Sequence, residues 1–135
     1  MRYRNDARGV TLVELLVTMS IVAILTAIAY PSYQNHVAKT RRKAATACLS
    51  QYANFMERFY TTNLTYQNAN PPALGCSTEN DMNRSYAFPP PTTTARTYSI
   101  SAVPTDSQQA RDPDRCGTLT LDQAGNRGAA KNTCW

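Results

Sequence analysis

Glu14 is the one charged side chain in the run Val10–Tyr30 (VTLVELLVTMSIVAILTAIAY). A carboxylate at the centre of an apolar helix costs roughly 3 kcal/mol to hold in a bilayer, so such residues usually have a partner and a purpose. Four cysteines, Cys48, Cys76, Cys116 and Cys134, all follow that run. None forms a C-x-x-C pair, and His36 is the sole histidine, which makes a zinc site unattractive; no metal is expected. Widely spaced cysteines in even number beyond an export-type segment read as disulfides in an oxidising compartment. Four cysteines allow three pairings. Cys116–Cys134, which closes a short loop, and Cys48–Cys76, which ties a long loop to a helix, are the expected pair of bonds. Each would contribute about 3 kcal/mol by loop entropy.

Catalysis finds little support. His36 stands in a helical stretch near the apolar run, where an exposed polar position is the plain reading. Asp112 and Asp114 are close enough to pair as carboxylates, but they flank Pro113 in a polar stretch and are expected to make turns. There is no glycine-rich phosphate loop, and no cofactor is expected. Arg111, Arg115, Arg127 and Lys131 surround the Cys116–Cys134 loop and are suited to phosphate contacts. The competing reading makes them solvated surface or contacts between subunits.

These residues need elements to position them. The chain has 135 residues and a formal charge of +5. Without Met1–Gly9, eleven basic and eight acidic side chains remain, a mild +3 that says little about partners. The run Val10–Tyr30 would be about 30 Å long as a helix, which matches a bilayer core. Arg2, Arg4 and Arg8 before it favour a cytoplasmic N-terminus, although Lys39, Arg41, Arg42 and Lys43 lie on the wrong side for that rule. The helical pattern resumes after Pro31, with Val37, Ala44, Cys48, Tyr52, Phe55, Met56 and Phe59 at spacings of three or four. One helix from about Thr11 to Thr61 is expected, bent near Pro31 and roughly 75 Å long. Asn63–Pro91 reads as loop, with Pro89-Pro90-Pro91 and the following threonines as a connector. Strands are expected at Ser85–Phe88, at Arg96–Val103 with Tyr98, Ile100 and Ala102 on one face, and at Thr118–Asp122 with Leu119 and Leu121 inward. Gly125-Asn126 supplies a turn. Asn63-Leu64-Thr65 and Asn83-Arg84-Ser85 match the glycosylation tripeptide, a pattern common by chance.

Three readings compete for the N-terminal segment. A secretory signal peptide has a plausible site in Ala27-Ile28-Ala29. A permanent anchor is the second. The third is a precursor cut after Gly9 that keeps its apolar run. Glu14 and the continuation of the helix separate them, since neither a disposable signal nor a plain anchor has a use for that carboxylate.

Gly9-Val10-Thr11-Leu12-Val13-Glu14 resembles the type IV prepilin motif, and Pro31 falls where type IV pilins carry a helix-kinking proline. CGTLTLDQAGNRGAAKNTCW (Cys116–Trp135) resembles the C-terminal loop of PilE-type minor pilins, as do Tyr33-Gln34-Asn35, Arg42, Ala45 and Glu57-Arg58-Phe59-Tyr60. The resemblance covers most of the chain, least well over Asn68–Arg84. It implies an α+β pilin-like fold: one long N-terminal helix packed on a small antiparallel sheet, with a disulfide-closed C-terminal loop. It implies a leader over 1–9, an assembly helix over 10–31, an amphipathic half over 32–61 and a head over 62–135. It also implies cleavage between Gly9 and Val10 by a prepilin peptidase and N-methylation of Val10, where the family more often has phenylalanine. Assembly would use Glu14 and Pro31, with Glu14 pairing the new amine in its own chain or a neighbour's.

The expected protein is therefore not an enzyme but a pilus subunit of the minor type, acting in assembly and in pilus-dependent motility, adhesion or DNA uptake. Its partners would be other pilin subunits, the peptidase, the inner-membrane assembly platform and, before assembly, the membrane with the head in the periplasm. After assembly it would lie in the extracellular pilus. Two alternatives stand: a DNA-binding receptor on the pilus surface, and a type II secretion pseudopilin, many of which bind calcium near the C-terminus. For the latter the acidic residues are thin, Asp112, Asp114 and Asp122. The Lys39–Lys43 cluster would face lipid headgroups or acidic groups of a neighbouring subunit.

Overall fold

The computed structural model describes residues 9–135, so the expected leader lies outside them apart from Gly9. Two compact units are present, one up to Gln34 and one from Asn35 to Trp135.

A single helix, α1, runs Leu12–Asn63 and contains Pro31. Thr11 starts it: the Thr11 hydroxyl accepts from the Glu14 amide at 3.2 Å, as a helix cap should. Within the first unit the helix is apolar all round and exposed from Leu12 to Ile28, with a window of mean hydropathy 2.4 and no buried residue. A helix of that kind matches a membrane span by length and composition.

In the second unit α1 buries Ala38, Arg42, Ala45, Cys48, Leu49, Tyr52 and Met56. The stripe is displaced from the expected one: Ala44 is exposed and Val37, Phe55 and Phe59 are half-buried. The cause is Arg42, which faces inward and would not be counted in an apolar periodicity. The helix runs to Asn63, slightly past the expected end.

The stretch expected as loop is partly ordered. It holds α2 (Gly75–Thr78) and a 3₁₀ segment (Glu79–Arg84), and β1 (Tyr86–Ala87) lies within the strand expected at Ser85–Phe88. Cys76 in α2 is bonded to Cys48 in α1, and the Tyr52 hydroxyl donates to Ser77 Oγ at 3.2 Å beside it. Thr92–Thr93, expected in a connector, form β2, because their backbone finds Ser99 and Tyr98 on an open strand edge. β3 (Tyr98–Pro104) buries Tyr98, Ile100 and Ala102 in alternation. A short helix, α3 (Asp106–Arg111), follows, capped by Thr105, and then β4 (Leu119–Asp122) and β5 (Arg127–Gly128).

The sheet is antiparallel in the order β1-β3-β4-β5, with β2 also on β3. Ile100 faces Leu121 and Ala102 faces Leu119 across the β3–β4 pair. Together with Leu49, Met56 and Tyr86 they make one core that includes both disulfides. At the helix end, the Tyr66 hydroxyl donates to the Glu57 carboxylate, 3.1 Å from each oxygen, and the ring stacks on Tyr60 and meets Tyr98 edge-on.

Candidate functional site

Gly9 and Val10, the expected cleavage pair, are exposed, and a Cβ at Gly9 would meet nothing within 4 Å. Glu14 is exposed in the first turn of α1, near the helix start whose partial positive charge favours a carboxylate.

In the head, the residues around the Cys116–Cys134 loop are built from α1 outward. Arg42 is buried on α1 and donates from Nη1 to Asp112 Oδ1 at 2.5 Å and from Nη2 to Asp114 Oδ2 at 2.6 Å. Burial alone would lower the Arg42 pKa, but the hydrogen bonds and charges of the two carboxylates outweigh it and leave it raised. Asp114 is held below the usual carboxylate range, chiefly by its bond to Arg42 and further by Lys39 and Lys131. Asp112 and Asp114 do make a turn, since Asp112 Oδ1 also accepts from the Asp114 amide. Their main engagement is nevertheless an ion pair with a residue 70 and 72 positions away, which corrects the reading of them as simple turn makers. Arg42 is likewise withdrawn from the exposed Lys39–Lys43 cluster. A second tie comes from α3, where buried Gln108 donates from Nε2 to the Ala38 carbonyl at 2.8 Å.

The chain then reverses through Arg115, whose φ is 48°, and Gly117, whose φ is 61°. Glycine adopts that conformation freely, whereas arginine does so at a cost of roughly 1–2 kcal/mol. Cys116 is bonded to Cys134, and its carbonyl accepts from the Ala130 amide. The Trp135 indole donates to the Gly128 carbonyl at 3.0 Å, and the Arg127 guanidinium lies 5.4 Å from the centre of the same ring. A Cβ at Gly128 would meet the Thr120 hydroxyl across the β4–β5 pair, so a larger residue there would force the Thr120 side chain to turn.

Of the four cations singled out in the sequence, all are exposed. Lys131 and Lys39 of α1 both lie near enough to Asp114 to act on its charge, and Arg115 follows it in the chain. Arg127 stands on Trp135, and Arg111 ends α3 next to Asp112. Lys39 was read in the sequence only as part of the Lys39–Lys43 cluster; the fold brings it to Asp114 of its own chain, across 75 positions. The donor atoms of Asp112, Asp114 and Cys116 lie within 4.8 Å of one another, a separation that suits a cation. The sulfur is spent in a disulfide and the carboxylates hold a guanidinium, so the set does not fit a metal. Asp122 is committed as well: its carboxylate accepts from the Ala124 and Asn126 amides and from the Asn126 side chain, which hold its pKa low.

The family model described as "Type IV minor pilin ComP, DNA uptake sequence receptor" matches residues 31–120, and that of the prokaryotic N-terminal methylation motif matches residues 4–30. Over 35 residues, 26% of this chain and 24% of the relative, the sequence is 56% identical to prepilin peptidase-dependent protein D of Escherichia coli K12. Over 37 residues, 27% of this chain and 24% of the relative, it is 43% identical to fimbrial protein Q of Moraxella bovis. The chain spans about a quarter of the length of these curated relatives. A type IV pilin from Shewanella oneidensis superposes with a TM-score of 0.55 at 35% identity, over 73% of this chain and 97% of that one. The non-core minor pilin PilV of Neisseria meningitidis gives 0.52 at 19% identity, over 73% and 92%, a likeness of fold alone.

Proposed function

The chain belongs to the type IV minor pilin family whose model is that of ComP, and from that premise we propose that its head takes hold of DNA through the cations of the Cys116–Cys134 loop. The family is one of structural subunits that associate with other pilins, not of enzymes. One observation carries the DNA reading. Arg115 and Lys131 are exposed on a loop fixed at its root by Arg42 and at its neck by a disulfide, and Arg115 is held there in a conformation that arginine disfavours. Strain of that kind persists where surrounding structure imposes it, and it is concentrated at functional positions. Lys39, which acts on Asp114, and Arg127, which stands on Trp135, add to the positive charge of the loop region. The contacts would be to phosphate, which positions DNA without reading its sequence.

The test is binding of the full chain in detergent to duplex DNA over a salt series. Micromolar or tighter affinity at low salt is expected, with a log–log slope of about −3 to −4 for four phosphate contacts. Arg115→Gln and Lys131→Gln should each reduce that slope by about 1. No binding at low salt would end the proposal.

The N-terminal unit is proposed as the anchor and assembly element. In this reading a prepilin peptidase cuts between Gly9 and Val10 and methylates Val10. The apolar helix holds the head on the periplasmic side of the inner membrane until the assembly platform moves the subunit into the pilus. Glu14 of one subunit then meets the new amine of its own chain or a neighbour's. An unpaired charge in the apolar bundle is costly, so the pair selects register more than it adds stability. Glu14→Ala should leave membrane insertion intact and impair incorporation into sheared pili; normal incorporation would sink this role. The pseudopilin alternative has less to stand on, because Asp112, Asp114 and Asp122 are engaged by Arg42 and by the Asp122–Asn126 turn.

A further inference from the structure

Two tyrosines mark the end of the apolar run. Tyr30 and Tyr33 are 66% and 68% exposed on α1, and tyrosines so placed are typical of the boundary between hydrocarbon and headgroups. Lys39, the first lysine after them, comes six residues past Tyr33, about 9 Å at the helical rise. That is close to the screening length of roughly 8 Å at physiological salt, over which an anionic membrane surface attracts basic side chains.

Lys39 does not stand alone there. Lys43 follows one turn later on the same side of α1, and both are exposed. The loop brings a third lysine. Gln108 bonds to the Ala38 carbonyl and Arg42 to Asp112 and Asp114, so α3 and the loop root are held against the first turns of the head's helix. Exposed Lys131 lies near enough to act on Asp114, as Lys39 does. Among the described residues, none of these three lysines makes a salt bridge. Asp112 and Asp114, whose charge would oppose an anion, are engaged by Arg42.

We propose that Lys39, Lys43 and Lys131 dock the head on the anionic headgroups of the bilayer that its own helix spans, before the subunit is assembled. The inference rests on the anchor reading, which puts that surface within reach of the head without an encounter in solution. Each lysine close to such a surface is worth roughly fivefold in occupancy, so three together favour the docked head about a hundredfold over neutral lipid. Leaving the bilayer for the pilus then frees all three.

The test uses the full chain with a neutral fluorophore on Asn132→Cys, beside Lys131. All four native cysteines are disulfide-bonded, so the new thiol labels alone. The chain is reconstituted in nanodiscs of phosphatidylcholine, or of the same lipid with about a third phosphatidylglycerol to give an anionic surface. A trace of lipid with a nitroxide on its headgroup quenches the dye when the loop is docked. Quenching should be several-fold stronger on the anionic discs and should fall to the neutral level at about 1 M salt, where screening acts within about 3 Å. A dye on exposed Thr61→Cys, about 33 Å beyond Lys39 along α1, should be quenched weakly and equally in both discs. Lys39→Gln with Lys43→Gln should abolish the lipid dependence and melt close to wild type, since both side chains are exposed. Equal quenching at Asn132→Cys in the two lipids overturns the proposal. So does a double variant that docks as wild type yet is depleted from sheared pili, which would assign the lysines to acidic groups of a neighbouring subunit. A chain that fails to enter the discs would overturn the anchor reading and this proposal with it.

Discussion

Arg42 and Asp112 meet at 2.5 Å with both side chains buried, 7% and 4% exposed, although 70 positions separate them. The pair joins α1 to the root of the Cys116–Cys134 loop, and Asp114 completes the fork. Removing one partner of a buried pair leaves the other uncompensated, which costs about 3 kcal/mol or more. Arg42→Ala should therefore lower the urea midpoint strongly, and Asp112→Ala in the same background should add little. Arg42→Lys should recover only part of the loss, because an ammonium cannot span two carboxylates as a guanidinium does. Additive losses in the double variant would show that the two residues act separately.

Acid should loosen the same region. Asp114 and Asp122 both have folded pKa values below their ordinary 3.8, through Arg42 and through the Asn126 turn respectively. A depressed carboxylate contributes stability that is fully present above its unfolded value and is lost as pH falls through the folded one. Stability should thus be level above about pH 5 and decline below pH 4. Asp122→Asn should flatten part of that decline in thermal melts; an unchanged acid limb would contradict the assignment.

At the alkaline end the sign reverses. Burial and the Glu57 carboxylate push Tyr66 from 10.0 up to about 12, and Tyr98 is raised for the same two reasons. Stability from these hydroxyls is present below pH 10 and is lost between pH 10 and 12, where the unfolded chain gives up its protons first. Tyr66→Phe should blunt the alkaline loss, read by melting at pH 8 and at pH 11. Equal alkaline sensitivity in the variant would count against it.

The two disulfides should be separable by function. Their bonds span 28 and 18 positions, so loss of either should cost about 3 kcal/mol by the loop-entropy model. Replacing Cys116 and Cys134 by serine should also abolish most DNA affinity, whereas replacing Cys48 and Cys76 should leave it near wild type under conditions where both variants are folded. Equal affinity in the two double variants would remove the loop from the binding surface.

The sequence was legible in the strands, where apolar and polar residues alternate. Tyr98, Ile100 and Ala102 alternate and are buried in alternation, and Leu119 and Leu121 face them across the sheet. Arg42 was not legible, because an arginine within a run of basic residues reads as solvated. Asp112 and Asp114 flank Pro113 in a polar stretch and so read as turn makers, with nothing in their spacing to name a partner 70 positions away. Thr92–Thr93 lack apolar alternation and owe their strand to the free edge of β3. The positive φ of Leu64 and Arg115 left no trace in the sequence, since both residues are ordinarily at home at negative φ.

Trp135 is the single tryptophan of the chain, and it is half-buried with its indole N–H on Gly128 and a guanidinium over its ring. The molecule therefore carries its own optical gauge at the loop. Release of the indole to water should shift its emission to the red, and displacement of Arg127 should alter its quantum yield, without any attached dye.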